Sequence, residues 1–418
     1  MNRIQTLVTM ILFISTFLVF FYSTLHLEVA HGHRAAGVRG TALRNGTLRV
    51  LVGDVKTQAP KQESLSTAPP LNASTSNGLR QMIPQNTAYW NRLLHSALNG
   101  SRPEVRWSRC REMSRELLET NIHDFSSYPA LFQTFLEGMN CRAPPVLIGQ
   151  PKKCLSGTAG GEQTFLLFAI KSSPENFARR QAVRETWGRE GVYPNGLRVR
   201  TVFLIGSSLP DEPDLGLLLS AEAQLFSDLL QWDFYETFLN LTLKMSTFLE
   251  WARESCPRVS FVFSGDDDVF VNTPLVLSYL QAVDPSRASR LYVGQVINSA
   301  NPLRDSKSKY YVPLSFYQGA YPGYAGGGGF IFSGALLQPL HSLSLVMPFF
   351  PIDDVYMGMS FKALGVSPEA HAGFQTFDVK SQDRENLCIH KALMLVHQRM
   401  PSEIKKLWRG IQSPLLTC

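Results

Sequence analysis

The strongest constraint on this chain is a run of three carboxylates directly after an apolar segment. Residues 259–263 are apolar and rich in β-favouring side chains, which predicts a buried strand that Gly265 then ends. Asp266, Asp267 and Asp268 come next, and adjacent like charges repel one another unless a counter-charge is bound. A divalent cation carrying a diphosphate supplies that charge, because oxygen ligands suit Mg²⁺ and Mn²⁺. A solvated acidic turn is the alternative that the triplet alone leaves open.

Strand-like and helix-like segments alternate before this cluster. Apolar runs predict strands at residues 165–170, 199–205 and 228–234. Helical spacing predicts helices at residues 177–187, 214–226 and 239–253. This order is typical of βαβ units in an α/β fold with a mostly parallel sheet and helices on both faces. The acidic cluster then lies at the carboxyl edge of the sheet, where such folds bind ligands, which favours a site over a solvated turn.

The N-terminal part of the chain predicts an anchor and a stem rather than a globular body. Residues 7–25 carry no charged side chain, and a helix of this length spans about 28 Å, just enough to cross a bilayer core. We therefore expect a cytosolic tail at residues 1–6 and a transmembrane signal anchor at residues 7–27, with a cleaved signal peptide as the alternative. Residues 28–85, rich in Ser, Thr, Asn, Gly and Pro, predict a flexible stem.

The cysteines and glycosylation sequons indicate a lumenal body. No Cys-x-x-Cys pair is present, so the six cysteines fit three disulfides better than a zinc site: Cys110, Cys141, Cys154, Cys256, Cys388 and Cys418. Closeness in sequence predicts that Cys110 pairs with Cys141. Sequons for N-glycosylation occur at Asn45, Asn72, Asn99 and Asn240.

Composition and missing motifs exclude other classes of function. The net charge of +6 comes from scattered basic residues, so nucleic-acid binding has little support, although an anionic substrate would be favoured. The sequence contains no Gly-x-Ser-x-Gly nucleophile motif and no Walker loop. Residues 86–155 predict an extension that packs on a main domain at residues 156–418.

Three features downstream of the acidic cluster point to the same site. Four successive glycines at residues 326–329 allow a ligand or another chain segment to approach the backbone closely. Asp353 and Asp354 open a predicted helix, where capping is the structural alternative. His397 ends a strand-like run, and a single histidine in such a place is more often structural than a ligand.

Five ordered motifs in this sequence resemble those of the β-1,3-glycosyltransferases. They lie at residues 179–188, 240–244, 265–272, 321–334 and 353–358. That family consists of Golgi type II membrane enzymes with a GT-A fold, a Rossmann-like α/β architecture. Over residues 86–418, including all six cysteines, the chain is most similar to the members that elongate polylactosamine chains with β-1,3-linked N-acetylglucosamine.

The resemblance implies a role for each matching residue. Asp354 would be the catalytic base, and Asp268 with His397 would bind Mn²⁺ or Mg²⁺. The donor UDP-GlcNAc would contact Arg180, Arg184, Lys244, Asp266 and Asp267. The acceptor would contact Asp353, Gly327, Gly328 and Tyr310.

The implied reaction is an inverting transfer of N-acetylglucosamine from UDP-GlcNAc to the 3-hydroxyl of a terminal β-galactose on glycoproteins or glycolipids. One alternative is a β-1,3-galactosyltransferase that uses UDP-galactose, and a second is a non-catalytic sugar-binding partner of another transferase. A metal-dependent phosphohydrolase would need two metals and more carboxylate or histidine ligands than this sequence offers. The resemblance also implies a single-pass Golgi membrane protein with a lumenal catalytic domain, and a possible homo- or hetero-dimer.

We predict that residues 7–25 remain uncleaved and that the body of the chain is lumenal, because the span is uncharged and sequons follow it. In microsomes carrying the full chain, added protease should leave the body intact, and a glycosidase should lower its mass. A digested body without glycans contradicts this topology.

Overall fold

The computed structural model describes residues 71–99, 110, 112–154 and 163–418. The helices before the central strands are α1 (Ala73–Met82), α2 (Tyr89–Leu98), α3 (Arg115–Asn121) and α4 (Ala130–Gly138). The later helices are α5 (Phe177–Glu185), α6 (Gly216–Phe226), α7 (Leu241–Ser255), α8 (Thr273–Ala282), α9 (Pro285–Ala288), α10 (Leu337–Ser344), α11 (Asp353–Ala363), α12 (Leu387–Ala392) and α13 (Pro401–Ile411).

The strands fall into one large sheet and two small ones. The large sheet contains β1 (Val146–Ile148), β2 (Thr164–Lys171), β3 (Gly191–Tyr193), β4 (Leu197–Ser207), β5 (Leu229–Tyr235), β6 (Phe261–Asp266), β8 (Tyr292–Gly294), β11 (Gly329–Ser333) and β12 (Glu369–Ala370). The small sheets contain β7 (Phe270–Val271), β9 (Val296–Ile297), β10 (Tyr324–Ala325), β13 (Phe374–Gln375) and β14 (Leu395–Val396).

The large sheet is mixed, which corrects the expectation of a mostly parallel one. Its strand order is β1-β5-β4-β2-β6-β11-β8-β12, with β3 paired to β4. The predicted alternation is confirmed for β2, β4, β5 and β6, which pair in parallel. Strand β11, however, runs antiparallel to both β6 and β8. A short run that is buried throughout reads the same in either direction, so the sequence pattern did not reveal this reversal.

Both faces of the large sheet are covered, as the apolar strands predicted. Along β2, Leu167 and Ala169 join the core that includes Phe248 of α7. Leu166 and Phe168, which alternate with them along the strand, join the core on the opposite face. A strand whose successive side chains enter two cores must be apolar throughout, which explains the unbroken run.

The N-terminal extension begins earlier than the sequence suggested. Helix α1 lies within residues 28–85, which were expected to form a flexible stem, yet its Leu79 is fully buried. A Cβ placed on Gly78 would lie 3.2 Å from the carbonyl oxygen of Ala363, so α1 packs closely on the end of α11. The expectation of a flexible stem is therefore wrong for residues 71–85, because so short a helix reveals little of its buried face in sequence.

The predicted tail and anchor, residues 1–27, lie outside the described residues, as do residues 28–70. Among the residues that are described, none of the helices has both the length and the apolar character needed to span a bilayer.

The disulfides join distant parts of the described chain. The predicted pair Cys110–Cys141 is confirmed, and the remaining cysteines form Cys154–Cys256 and Cys388–Cys418. Of the sequon residues, Asn72 and Asn99 are exposed, while Asn240 is partly buried just before α7. Asn45 lies outside the described residues.

Candidate active site

A cleft of about 870 Å³ lies at the carboxyl ends of β2 and β6. Parallel pairing sets Lys171 beside Asp266 as the last residues of these strands. The antiparallel strand β11 starts opposite Gly265, so the glycine segment at residues 326–329 also faces this edge. The cleft is lined by Lys171, Ser172, Asn176, Arg179, Glu236, Phe238, Lys244, Asp266, Asp267, Asp268, Tyr310, Tyr321, Tyr324, Gly326, Gly327, Gly328, Asp353, Asp354, Thr376 and His397, among others.

Asp266 and Asp353 share one buried cation. The Lys171 ammonium lies 3.1 Å from Asp266 Oδ1 and 2.9 Å from Asp353 Oδ2, and its side chain is 4% exposed. Burial alone would lower the pKa of Lys171, but the two carboxylates raise it well above its usual value. The same ammonium donates to the carbonyl oxygen of Gly327 at 3.2 Å. Lys171 therefore connects the acidic cluster, the first turn of α11 and the glycine segment.

Asp267 is held by neutral and cationic donors. Ser172 Oγ donates to it at 2.6 Å and Asn176 Nδ2 at 3.0 Å. Arg179 adds an ion pair at 3.2 Å. Burial nevertheless raises the pKa of Asp267 to about 6.

Asp266, Asp268 and His397 form a possible cation site. Ligand atoms of the three side chains all lie within 4.8 Å of one another. His397 Nδ1 donates to the carbonyl oxygen of Thr376 at 2.9 Å, which leaves Nε2 to face Asp268 Oδ1 at 3.1 Å. Asp268 Oδ1 is buried, and the polar atom that it faces is His397 Nε2. The structure thus brings together Asp268 and His397, and adds Asp266, which was predicted to contact the donor.

The four glycines form a wall that is shaped by neighbouring side chains. A Cβ on Gly326 would lie 2.5 Å from Thr376 Cγ2, and one on Gly328 would lie 2.9 Å from His397 Nδ1. Either substitution would push the histidine or its supporting residue out of place. Gly327 N–H donates to Asp354 Oδ2 at 3.0 Å, so the glycine wall also holds the Asp354 carboxylate in place.

Asp353 and Asp354 occupy different environments although they are adjacent. Asp353 lines the cleft but is buried against Lys171, and its contact with an acceptor stays a prediction. Asp354 is partly exposed to the cleft and also accepts from Val355 N–H at 2.8 Å. Burial and the charge of Asp353 raise the pKa of Asp354 to about 7. Such a carboxylate can accept a proton near neutral pH.

Two arginines predicted to contact the donor lie elsewhere. Arg180 is fully buried and pairs with Glu222 at 2.8 Å, while Arg184 pairs with Glu222 and Asp228 at 2.7 Å. Neither arginine is among the described residues that line the cleft. Successive side chains on a helix differ in direction by about 100°, so the motif places Arg179 rather than its neighbours in the cleft. The helical periodicity of residues 177–187 could have shown that Arg179 faces the cleft, but the sequence analysis did not select it.

The remaining predicted residues do line the cleft. Lys244 Nζ donates to Glu236 at 2.6 Å and to the carbonyl oxygen of Ser172 at 2.7 Å. Tyr310, 41% exposed, lies on the rim with its ring 5.3 Å from that of Phe238 in an edge-on contact. Lys171 and Ser172 were missed, although their position at the end of a buried strand was a usable signal, and Asn176, which directly precedes α5, was missed as well.

Replacing Lys171 with Met should lower the free energy of unfolding by about 3–5 kcal/mol, because the buried Asp353 and the partly exposed Asp266 would lose their shared cation. Denaturant titration measures the change. Lys405→Met is the matched control, since Lys405 forms an exposed pair with Glu185 and should alter stability by about 1 kcal/mol or less. Equal stability of the two variants contradicts the assigned role of Lys171.

Comparison with known proteins identifies the family. Residues 178–372 match the family described as galactosyltransferase. N-acetyllactosaminide beta-1,3-N-acetylglucosaminyltransferase 2 of Mus musculus is 48% identical over 301 residues, covering 72% of this chain and 74% of that protein. The Homo sapiens protein of the same name is 42% identical and covers 82% of each chain. Acetylgalactosaminyl-O-glycosyl-glycoprotein beta-1,3-N-acetylglucosaminyltransferase of Homo sapiens is 43% identical, covering 71% of this chain and 77% of that protein. This chain therefore belongs to the galactosyltransferase family.

Proposed function

We propose that this chain is an inverting UDP-GlcNAc:β-galactoside β-1,3-N-acetylglucosaminyltransferase with a GT-A architecture. One observation carries the proposal: a candidate cation site and the partly exposed Asp354 face one cleft and are held by the same glycine wall. The relatives' names supply the donor and acceptor, because those proteins are β-1,3-N-acetylglucosaminyltransferases, two of them acting on N-acetyllactosaminides. A β-1,3-galactosyltransferase that uses UDP-galactose is the alternative that the same cleft would also serve.

The residues present fit a divalent cation. Asp268 and His397 would hold it together with Asp266, because ligand atoms of the three side chains lie within 4.8 Å of one another and the bond from His397 Nδ1 to Thr376 leaves Nε2 turned toward Asp268. Two carboxylates and one imidazole suit Mn²⁺, while Mg²⁺ would be expected to use the carboxylates. When bound, the ion would neutralise charge on the leaving diphosphate of UDP.

Side chains of the cleft would complete donor binding. Arg179 is 35% exposed, so its guanidinium can approach a diphosphate while it remains paired with Asp267. Lys244 lines the cleft, pairs with Glu236 and donates to the carbonyl oxygen of Ser172, so it supports the Ser172 backbone.

Asp354 would act on the acceptor. Its Oδ2 accepts from Gly327 N–H and its Oδ1 from Val355 N–H, so both oxygens have fixed directions. A free lone pair can accept the proton of the acceptor 3-hydroxyl as that oxygen attacks the donor sugar. One displacement inverts the anomeric centre and needs no covalent intermediate. A purely sugar-binding partner would not need this carboxylate.

The cellular setting forms part of the proposal. A signal anchor at residues 7–27 would place the body in the Golgi lumen, where UDP-sugars and galactose-terminated glycans meet. Three disulfides among the described residues suit such an oxidising compartment.

A lumenal fragment beginning at residue 66 should transfer N-acetylglucosamine, but little galactose, from UDP-sugars to terminal β-galactosides in the presence of Mn²⁺. Chelation should abolish transfer, and added Mn²⁺ should restore it. Asp268→Asn and His397→Ala should each lower activity at least ~10²-fold and weaken Mn²⁺ binding in calorimetry while the melting temperature stays near that of wild type. Full activity in excess chelator contradicts the metal site, and preferential use of UDP-galactose contradicts the proposed donor.

Asp354→Asn should reduce kcat by at least ~10²-fold with UDP binding nearly unchanged, because the amide cannot accept the proton. Since the base must be ionised and burial raises its pKa to about 7, wild-type kcat should fall as pH drops below about 7. Steady-state kinetics across pH measures both effects. Glu254→Gln, an exposed carboxylate on α7, is the control and should behave as wild type. A near-normal kcat for Asp354→Asn rules out its assignment as the base.

A further inference from the structure

One tyrosine hydroxyl in the cleft has no hydrogen-bond partner among the described residues. Tyr321 lines the cleft, is 8% exposed, and its Oη makes no hydrogen bond to any described residue. A buried hydroxyl without a partner destabilises a fold, so its retention in a binding cleft requires an explanation. A ligand hydroxyl would satisfy it.

The Tyr321 ring is held in place, so its hydroxyl has a defined direction. It stacks on Tyr317 at 6.0 Å between centroids and contacts the edge of Phe350 at 5.8 Å. Phe350 lies four residues before Asp354, on the segment that leads into α11. The segment that positions the candidate base therefore also positions the tyrosine.

Tyr321 and Asp354 line the same cleft, and Phe350, which packs on the Tyr321 ring, is close to Asp354 in the chain. Burial, and after it the neighbouring Tyr317, raises the pKa of Tyr321 well above its usual value, so the hydroxyl stays neutral. A neutral phenol both donates and accepts, which suits a sugar hydroxyl better than a phosphate oxygen. The pKa of Tyr324, which also lines the cleft, is likewise raised, first by burial and then by the charge of Asp354.

We propose that Tyr321 Oη hydrogen-bonds the 2- or 4-hydroxyl of the terminal acceptor galactose. Those two hydroxyls flank the 3-hydroxyl that Asp354 would deprotonate, so a fixed donor in the same cleft can hold the reacting oxygen in place. Tyr321 would thus be an acceptor-binding residue that helps to select galactose. This inference rests on the proposed function and goes beyond it by naming the contact that recognises the acceptor.

Tyr321→Phe tests the contact because it removes only the hydroxyl and keeps the ring packing. The acceptor kcat/KM should fall about tenfold, as expected for one lost neutral hydrogen bond, while UDP affinity and melting temperature are not lowered. Tyr356→Phe is the matched control: Tyr356 is 1% exposed and its hydroxyl also lacks a partner in the described part of the chain, but it does not line the cleft. That variant should keep wild-type kinetics.

Acceptors ending in 2-deoxy- or 4-deoxygalactose identify the hydroxyl involved. With the analogue that lacks the contacted hydroxyl, wild type and Tyr321→Phe should have equal kcat/KM, while the tenfold difference should persist with the other analogue. An unchanged kcat/KM for Tyr321→Phe, or a difference that persists with both analogues, overturns the proposal. Failure of the wild type to use any galactoside instead contradicts the proposed function itself, and the contact with it.

Discussion

The buried Lys171 ammonium is the interaction on which the cleft depends. It pairs with Asp266 at the end of β6 and with Asp353 at the start of α11, and it donates to the Gly327 carbonyl. Without a shared cation, the buried Asp353 and the partly exposed Asp266 would repel each other, which would push their elements apart. Strands β2 and β6 pair in parallel, and their register places Lys171 beside Asp266. Fold and site are therefore linked by one charge.

The two chemical halves of the cleft are separated by backbone rather than by side chains. Gly328 packs on His397, and Gly327 hydrogen-bonds Asp354, so adjacent residues of one segment support the cation site and the candidate base. Side chains at these positions would occupy space that the histidine and the carboxylate now take. A short glycine segment thus sets the spacing between two groups that come from distant parts of the chain.

Sequence patterns predicted the parts of this arrangement that follow from local periodicity. The buried strands, the acidic cluster at the carboxyl edge and the helix opened by Asp353 and Asp354 all appear as expected. Local patterns could not show the reversal of β11 or the burial of Arg180 against Glu222, because both depend on neighbours distant in sequence. The pairing of Asp353 with Lys171 was missed for the same reason. Lys171 directly follows the predicted strand at residues 165–170, and tertiary packing rather than a local pattern brings it to the first turn of α11.

The charge balance of the cleft explains why a cation and a nucleotide would bind together in the proposed reaction. Lys244 is neutralised by Glu236, which leaves Lys171, Arg179 and the exposed Lys309 as the basic side chains of the described cleft. The acidic residues outnumber them: Asp266, Asp267, Asp268, Asp353 and Asp354. A diphosphate entering this excess of carboxylates would be repelled. A divalent ion bound by Asp266, Asp268 and His397 would reverse the local charge on the donor side. Because each ligand would then improve the site for the other, their affinities would be coupled in both directions, and by the same factor.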